Sequence, residues 1–344
     1  MVAPPPGLIY STEEGVWRID PDGESEYLIA WPPHVYEFAF SPDGAHALYA
    51  DTVEEDVWLV DLETGEQRNL TQTPDRGEVC PVWWPARPGV VVFGSWARGS
   101  DEYSINAGHL SMVRLDGSDY RVLDEEQATC GDWAVSPDGQ RIAYGRRGNA
   151  SFYRWGVGIE QLDPAAYGLS VVGLANPDWS PDGKRIAWRV WQESGGWYQT
   201  GIAVFDLEAG DSSLPLVGGQ LRARNNCRCE FGSFWSPDGQ WLYGYGYFEV
   251  PSKGGGTEPG LAVGIVRPDG TKSHLLSGQY WQVGARPIWN PDGSQLAFGQ
   301  GAVYSNAFWH QAVQGVTLLL DISTWTVQQL DLPPGAQVIA WIER

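Results

Sequence analysis

The sequence Trp179-Ser180-Pro181-Asp182-Gly183 is a tight turn between two short hydrophobic segments, the second of which is Arg185-Ile186-Ala187-Trp188. Proline presets φ at the second position of such a turn, aspartate caps it locally, and glycine accepts a positive φ. The pattern returns, complete or with Asn in place of Ser, at Phe40–Gly44, Val135–Gly139, Trp235–Gly239 and Trp289–Gly293. A degraded copy at Trp83–Gly89 and a truncated copy at Val338–Ile342 extend the series. The chain is therefore built from repeats.

The repeats have the length of propeller blades. The apolar residues aligned just before each turn lie 43 to 56 residues apart, at Phe40, Trp83, Val135, Trp179, Trp235, Trp289 and Trp341. A period of this size is typical of four-stranded blades. Each turn leads into a second strand, a variable loop, a third strand, a short turn rich in Asp and Gly, and a polar fourth strand. Short strands at regular spacing predict an all-β array.

The two ends of the chain complete one repeat between them. Residues 7–37 supply a second, third and fourth strand, and residues 338–344 supply the missing first strand. Six internal blades occupy 38–337, and residues 1–6 form a proline-rich N-terminal stub. We therefore predict one domain over 1–344, an all-β, seven-bladed β-propeller of four-stranded antiparallel blades. Its ring is closed by N- and C-terminal strands that share a blade, which removes exposed sheet edges.

The turn and the Ile-Ala-Trp segment behind it resemble the PD40 or TolB-like repeat, a relative of the WD40 blade, over nearly the full length. TolB-like propellers serve as periplasmic interaction scaffolds, as gating domains before serine peptidases, and occasionally as lyases of pectin fragments. The resemblance thus implies the fold and leaves the function open. The pectin lyases bind a metal through several histidines, a pattern this sequence does not match, because only His34 and His310 fall in suitable loops.

The net charge of the chain excludes polyanionic partners. The chain carries 43 acidic against 22 basic residues, for a net charge of −21. Phosphate-bearing nucleic acids and anionic membranes would be repelled.

No apolar run is long enough to insert into a membrane. The N-terminus lacks the basic and apolar regions of a signal peptide. We expect an exported protein, periplasmic or extracellular, whose signal sequence is absent from this sequence.

The connections differ between the two ends of each blade. The turn end carries the Pro-Asp-Gly turns and the turns between third and fourth strands, all short. The opposite end, here named the loop end, carries the longer connections, predicted at 95–108, 146–157, 189–200, 218–232, 245–260 and 300–314. Variable loops commonly carry function. These loops are rich in aromatic residues, and the candidate ligand-binding residues are Trp96, Tyr103, Trp155, Trp191, Trp197, Tyr247, Trp281 and Trp309.

Aromatic side chains suit sugar rings and protein interfaces, although single rings also pin long loops to neighbouring blades. A second candidate is the locally basic loop with Arg222, Arg224 and Arg228, which we expect near the mouth of the central channel. Arginine forks there would bind a carboxylate or another anion. The alternative is charge balance against acidic neighbours such as Asp178 and Glu230.

All four cysteines, Cys80, Cys130, Cys227 and Cys229, precede an innermost strand. Cys80 and Cys130 belong to consecutive blades and could come within disulfide range. The sequence leaves three states of the cysteines open: two disulfides, free buried thiols or a metal site. The Cys-x-Cys spacing of Cys227 and Cys229 argues against zinc.

Catalytic patterns are weak. The five histidines form no spaced pair, and no Gly-x-Ser-x-Gly motif is present. We therefore name no catalytic residue and no cofactor. An acidic channel is a suitable environment for Ca²⁺, but no calcium-loop motif indicates such a site. We expect a non-enzymatic binding or scaffold propeller for a peptide, partner protein or glycan. The alternatives are a glycan-active lyase or hydrolase near the arginine loop and His310, and a subunit that assembles by exchanging the strand Val338–Ile342 or the N-terminal stub.

Overall fold

A computed structural model describes residues 1–12, 14–30, 32, 35, 38–51, 53–98, 108–146, 149–171, 173–194, 197–222, 233–251, 257–277, 287–302 and 314–342. At some strand positions it describes the backbone alone. The chain divides into two compact units. The first unit comprises Met1–Glu125 and Gln282–Arg344, and the second comprises Glu126–Trp281.

The described chain consists of strands joined by turns, with a single 3-10 turn at Pro164–Tyr167. In chain order the strands are β1 (Leu8–Thr12), β2 (Gly15–Ile19), β3 (Ser25–Ile29), β4 (Ala39–Phe40), β5 (His46–Ala50), β6 (Val57–Asp61), β7 (Gln67–Asn69), β8 (Arg76–Trp83), β9 (Val90–Ala97), β10 (Gly108–Arg114), β11 (Arg121–Val135), β12 (Arg141–Arg146), β13 (Asn149–Arg154), β14 (Gly158–Gln161), β15 (Gly173–Trp179), β16 (Arg185–Ser194), β17 (Trp197–Asp206), β18 (Asp211–Arg222), β19 (Ser233–Trp235), β20 (Leu242–Pro251), β21 (Thr257–Val266), β22 (Ser273–Ser277), β23 (Ile288–Trp289), β24 (Gln295–Ala302), β25 (Gln314–Asp321), β26 (Thr326–Gln329) and β27 (Gln337–Trp341).

The described strands form seven blades of four antiparallel strands, as the repeats predict. The first unit contains blade 1 (β4–β7), blade 2 (β8–β10 and the start of β11), blade 6 (β23–β26) and blade 7 (β27, β1, β2 and β3). The second unit contains blade 3 (the end of β11, then β12–β14), blade 4 (β15–β18) and blade 5 (β19–β22). The chain passes from one unit to the other within β11.

Blade 7 confirms that the two ends of the chain share a sheet. β27 pairs antiparallel with β1, with Leu8 opposite Trp341 and Tyr10 opposite Val338. The N-terminal stub also pairs within its own chain, because Val2 forms a parallel bridge with Leu330. The prediction that 1–344 is a single domain stays a prediction.

The repeated turn is held by its own side chains. Ser180 Oγ donates to Asp182 Oδ1 at 2.5 Å and accepts from the Arg185 N–H at 2.9 Å. Gly183 has a φ of 68°, the left-handed region that glycine tolerates. Ser180 is fully buried, so these bonds satisfy a hydroxyl that water cannot reach. The serine–aspartate hydrogen bond recurs in blades 1, 3 and 5, and an asparagine replaces the serine in blade 6.

The aligned tryptophans connect neighbouring blades within each unit. Trp179 Nε1 of blade 4 donates to the Ala134 carbonyl of blade 3 at 3.0 Å, and Trp235 Nε1 of blade 5 donates to the Asp178 carbonyl of blade 4 at 3.1 Å. In the first unit, Trp83 Nε1 of blade 2 donates to the Ala39 carbonyl of blade 1 at 2.7 Å. These tryptophans therefore link neighbouring blades.

Several predicted loops contain strands. Residues 146–157 were expected as a loop but include β13, whose Phe152 and Tyr153 pair with β12. The predicted loops at 189–200 and 245–260 are largely paired strand, since β16 pairs with β17 as far as Ser194 opposite Trp197. Similarly, β20 pairs with β21 as far as Pro251 opposite Thr257. Aromatic and β-branched residues are common in strands, so the ring-rich composition that suggested loops also favours strand pairing.

Candidate functional site

Three of the eight candidate aromatic residues have described side chains, and none of the three is fully exposed. Trp96 lies in β9 and is only 3% exposed, so its assignment to the loop 95–108 is wrong. Trp191 lies in β16 and is half-buried. Trp155 is half-buried in the turn between β13 and β14. Their role in ligand binding stays a prediction.

Trp96 and Trp191 cover glycines at equivalent places in blades 2 and 4. Gly77 is the cross-strand neighbour of Trp96, and a Cβ at Gly77 would lie 2.5 Å from Trp96 Cζ2. Gly173 is the neighbour of Trp191 in the same way, with a corresponding distance of 2.1 Å. Each indole therefore occupies the space that a side chain would need at the glycine of an innermost strand. This contact gives both rings a packing role.

Trp155 lies at the turn end of blade 3 and not, as predicted, at the loop end. Its backbone N–H donates to the carbonyl of Gln140, which follows the Pro-Asp-Gly turn, at 3.0 Å. The prediction is wrong because β13 occupies the stretch assigned to the loop.

The remaining candidates have either a described backbone alone or no described structure. Trp197 in β17, Tyr247 in β20 and Arg222 at the end of β18 lie in strands, and Arg222 is paired with Trp197. The other candidates, together with His34 and His310, lie outside the described residues: Tyr103, Trp281, Trp309, Arg224, Arg228, Cys227 and Cys229.

Two long hairpins mark the loop end of the second unit. β16–β17 and β20–β21 each pair ten residues with ten. At about 3.3 Å per residue, each hairpin is roughly 15 Å longer than a five-residue strand pair. β19 pairs with β20 only over Leu242–Gly244, and β22 pairs with β21 only over Ala262–Val266. Beyond those pairs, the described part of the β20–β21 hairpin is a ribbon of two strands.

Cys80 is disulfide-bonded, and no described cysteine is a free thiol. It lies within the innermost strand β8, not before it as predicted, with a φ of 53° at an irregularity in the pairing with β9. Cys130 lies in β11, where only its backbone is described. The pairing of Cys80 with Cys130 stays a prediction.

A buried polar cluster at the loop end of blade 2 was not predicted. Glu78, Ser95 and His109 form one row across β8, β9 and β10, because Glu78 is paired with Ser95 and Ser95 with His109. Glu78 and Ser95 are fully buried. Phe93, two residues before Ser95 and so on the same face, packs in a hydrophobic cluster with Leu48 of blade 1. The row therefore faces blade 1.

Glu78 is the centre of this cluster. Its Oε1 accepts hydrogen bonds from Thr73 Oγ1 at 2.6 Å and from the Tyr120 hydroxyl at 3.1 Å. Its Oε2 is buried and has no partner among the described residues. Burial raises the pKa of Glu78 to about 7, although the nearby hydroxyl groups of Thr73, Thr71 and Tyr120 act in the opposite direction. Burial also raises the pKa of Tyr120 above its ordinary value, and the neighbouring Glu78 contributes.

An ion-pair network borders the cluster. Arg98, after β9, places Nη2 3.2 Å from Asp56 Oδ1 and Nε 3.6 Å from Glu55 Oε2. It also donates to the Glu54 carbonyl. Asn69 Nδ2 donates to the other oxygen of Asp56 at 2.6 Å. These contacts join the β5–β6 connection of blade 1 to β9 of blade 2.

Within the described residues, no group of three or more His, Cys, Asp or Glu side chains is arranged to hold a metal ion. The described part of the chain also contains no helix with the length and apolar character needed to cross a membrane.

In sequence, the chain matches no protein-family model and no curated protein. Among solved structures it is similar to TolB from Acinetobacter baumannii, with 14% identity and a TM-score of 0.54 over 98% of this chain and 66% of the TolB chain. In fold, the chain resembles TolB. It spans slightly less than two thirds of that TolB chain.

Two other similar structures are enzymes. Oligogalacturonate lyase from Vibrio parahaemolyticus shares 14% identity, with a TM-score of 0.53 over 87% of this chain and 79% of the lyase. The GH74 enzyme from Niastella koreensis shares 12% identity, with a TM-score of 0.53 over 97% of this chain and 66% of the enzyme. At these identities the likeness shows the TolB-like propeller fold alone.

Proposed function

We propose that this protein is a non-catalytic binding propeller that recognises an extended peptide segment of a partner protein at the loop end of its blades. The observation that carries the proposal is the pair of long hairpins, β16–β17 and β20–β21. Both contain aromatic residues, among them Trp197 and Tyr247. Aromatic residues are enriched at protein interfaces and at their energetic centres.

The β20–β21 ribbon favours a peptide over a compact ligand. Over Tyr245–Pro251 and Thr257–Leu261, no described strand pairs with either outer edge of the ribbon. Such an edge presents backbone N–H and C=O groups in a row, and an extended peptide can add to it as a further strand. Main-chain hydrogen bonds then supply affinity, and neighbouring aromatic side chains supply selectivity.

Charge narrows the class of peptide. With a net charge of −21, the protein attracts basic or neutral ligands and repels acidic ones. The same negative charge disfavours oligogalacturonate, the polyanionic substrate for which one structural neighbour is named. We further propose that the protein is exported, which agrees with the disulfide at Cys80, because structural disulfides persist in oxidising compartments.

The experiment is a selection from a random peptide display library, followed by affinity measurements with the best peptide. Trp197→Ala and Tyr247→Ala test the hairpins. Trp155→Ala, at the turn end of blade 3, is the matched aromatic control. We expect each hairpin variant to weaken binding about tenfold or more, the effect of losing one interface anchor, and the control to bind like the wild type. Circular dichroism checks that all variants are folded.

Three results would overturn the proposal or its choice of ligand. One is a peptide whose affinity falls in Trp155→Ala and not in the hairpin variants. Another is turnover: oligogalacturonides and neutral glucan oligosaccharides are incubated with the protein, and cleavage products would assign an enzyme. Binding of a neutral oligosaccharide without cleavage would replace the peptide by a glycan.

A further inference from the structure

We propose that Glu78 is a proton-binding site that couples pH to the junction of blades 1 and 2. The junction consists of the connection Leu70–Asp75, which leads from β7 into β8, together with Tyr120 at the start of the fourth strand of blade 2. Neither the fold nor the proposed peptide site accounts for a carboxyl group buried here. The inference is therefore independent of the proposed function.

One carboxyl oxygen holds two separate segments. Thr73 donates to Glu78 Oε1 from the connection, and Tyr120 donates to the same oxygen from beyond β10. The backbone N–H of Glu78 donates to the Glu55 carbonyl of blade 1 at 2.6 Å. Three chain segments thus meet at a residue that has no exposed surface.

The two oxygens of Glu78 respond differently to ionisation. Oε1 accepts its two hydrogen bonds whether the group is neutral or charged. Oε2 is buried and has no described partner, so a charge shared with it is not solvated. An ionised carboxylate in that situation is costly, and protonation is the usual remedy. The pKa of about 7, raised by burial, agrees with this geometry.

The charged neighbours of Glu78 do not cancel the preference of this buried carboxyl group for its neutral form. Asp56 raises the pKa of Glu78 further, although Arg98 pairs with Asp56 and with Glu55. On β8 itself, Arg76 Nη1 is directed to Ser95 Oγ at 3.5 Å and makes no ion pair with Glu78 among the described residues. His109, in the same row on β10, has a buried Nδ1 without a described partner. Asp75 belongs to the connection itself.

The two protonation states therefore favour different arrangements of the junction. When neutral, Glu78 can remain buried with both donors in place. When ionised, it gains from any opening of Leu70–Asp75 that lets water reach Oε2. In the folded state the pKa of Glu78 lies above its ordinary value of 4.5. The contribution of neutral Glu78 to the stability of the folded protein is therefore complete below pH 4.5. It is lost as the pH rises through about 7.

The test compares the wild type with Glu78→Gln, which keeps the Oε1 acceptor and mimics the neutral acid. Glu63→Gln, an exposed glutamate in the β6–β7 turn, is the matched control. Urea unfolding is measured from about pH 4 to about pH 8, where the linkage acts. We expect the unfolding equilibrium constant of the wild type, relative to Glu78→Gln, to rise roughly 300-fold across this window, tenfold per pH unit between 4.5 and 7.

The proposal would be overturned if the ratio of the unfolding equilibrium constants of the wild type and Glu78→Gln did not change with pH. It would also be overturned if the ratio of the wild type to Glu63→Gln changed with pH by the same factor. A second measurement does not depend on a variant that folds. The carboxyl ¹³C shift of Glu78 in the wild-type protein should titrate near pH 7, and a midpoint near 4.5 would contradict the proposal. Amide exchange over residues 70–78, corrected for its intrinsic pH dependence, should accelerate above the midpoint.

Discussion

Trp179 allows the contacts between blades to be tested quantitatively. Its indole is 5% exposed and donates from Nε1 to the Ala134 carbonyl at 3.0 Å. Arg141 Cζ lies 4.5 Å above the ring, and the centroid of Phe152 is 5.6 Å away. Trp179→Phe removes the donor and part of the ring, and it leaves the neighbouring blade in place.

Three losses add up. The hydrogen bond contributes about 1 kcal/mol, the weaker contact with the Arg141 guanidinium about 0.5 kcal/mol, and the incompletely filled space about 1 kcal/mol. We expect the free energy of unfolding to fall by about 2–3 kcal/mol, measured by urea denaturation with far-ultraviolet circular dichroism. Trp341→Phe is the control. Its Nε1 also donates to a carbonyl, that of Pro6 at 3.1 Å, but the ring is only half-buried.

The free energy of unfolding of Trp341→Phe should fall by less than about 1 kcal/mol, because water can replace part of the interactions that the half-buried indole makes. If Trp179→Phe costs no more than Trp341→Phe, the aligned tryptophan does not hold the blades together. The repeat would then owe its stability to the turns.

One substitution with its control tests the packing, and one deletion tests the closure. Gly77→Ala should destabilise the protein by about 1–3 kcal/mol, because the new Cβ would lie 2.5 Å from the buried Trp96 and 2.7 Å from Glu55 Oε2. Gly156→Asn, at an open position with φ of 74°, should cost less than about 1 kcal/mol, since asparagine tolerates that conformation. Thermal unfolding measures the stability of both variants. Equal destabilisation by the two substitutions would contradict the close contact between Gly77 and Trp96. Deleting 337–344 removes β27 from blade 7 and should abolish cooperative unfolding, whereas a stable monomer would show that β27 is dispensable.

The turns made the fold predictable from the sequence. Ser180, Asp182 and Gly183 satisfy their hydrogen bonds almost entirely within six residues, so a local pattern specifies a local structure. Repetition of that pattern then gives the number of blades. The shared blade was predictable for the same reason, because each end of the chain supplies the strands that the other lacks.

Strand lengths were harder to predict because no repeated turn motif marks where the strands end at the loop end. In β16, Val190-Trp191-Gln192-Glu193 continues beyond the usual strand length, and its pairing with β17 depends on a partner on the other side of the hairpin. β13 was missed because it follows β12 after only two residues, so a strand was assigned to a loop.

The Glu78 cluster depends on register, which the sequence does not reveal. Alternation along β10 places His109 and Ser111 on one face. The row Glu78, Ser95 and His109 requires in addition the alignment of three strands. One signal was present: charged or polar residues at Glu78, Ser95 and Ser111 interrupt otherwise hydrophobic strands. Buried polar residues of this kind are uncommon and merit attention in a repeat of hydrophobic blades.

In the proposed function, ligands bind at the loop end, along the two long hairpins. Hydrogen–deuterium exchange of the wild-type protein, with and without the best peptide from the display selection, tests it most directly. We expect slower exchange over 190–200 and over 245–261, and unchanged exchange at the Pro-Asp-Gly turns 180–183 and 236–239. Protection of those turns, with unchanged exchange in both hairpins, would contradict it.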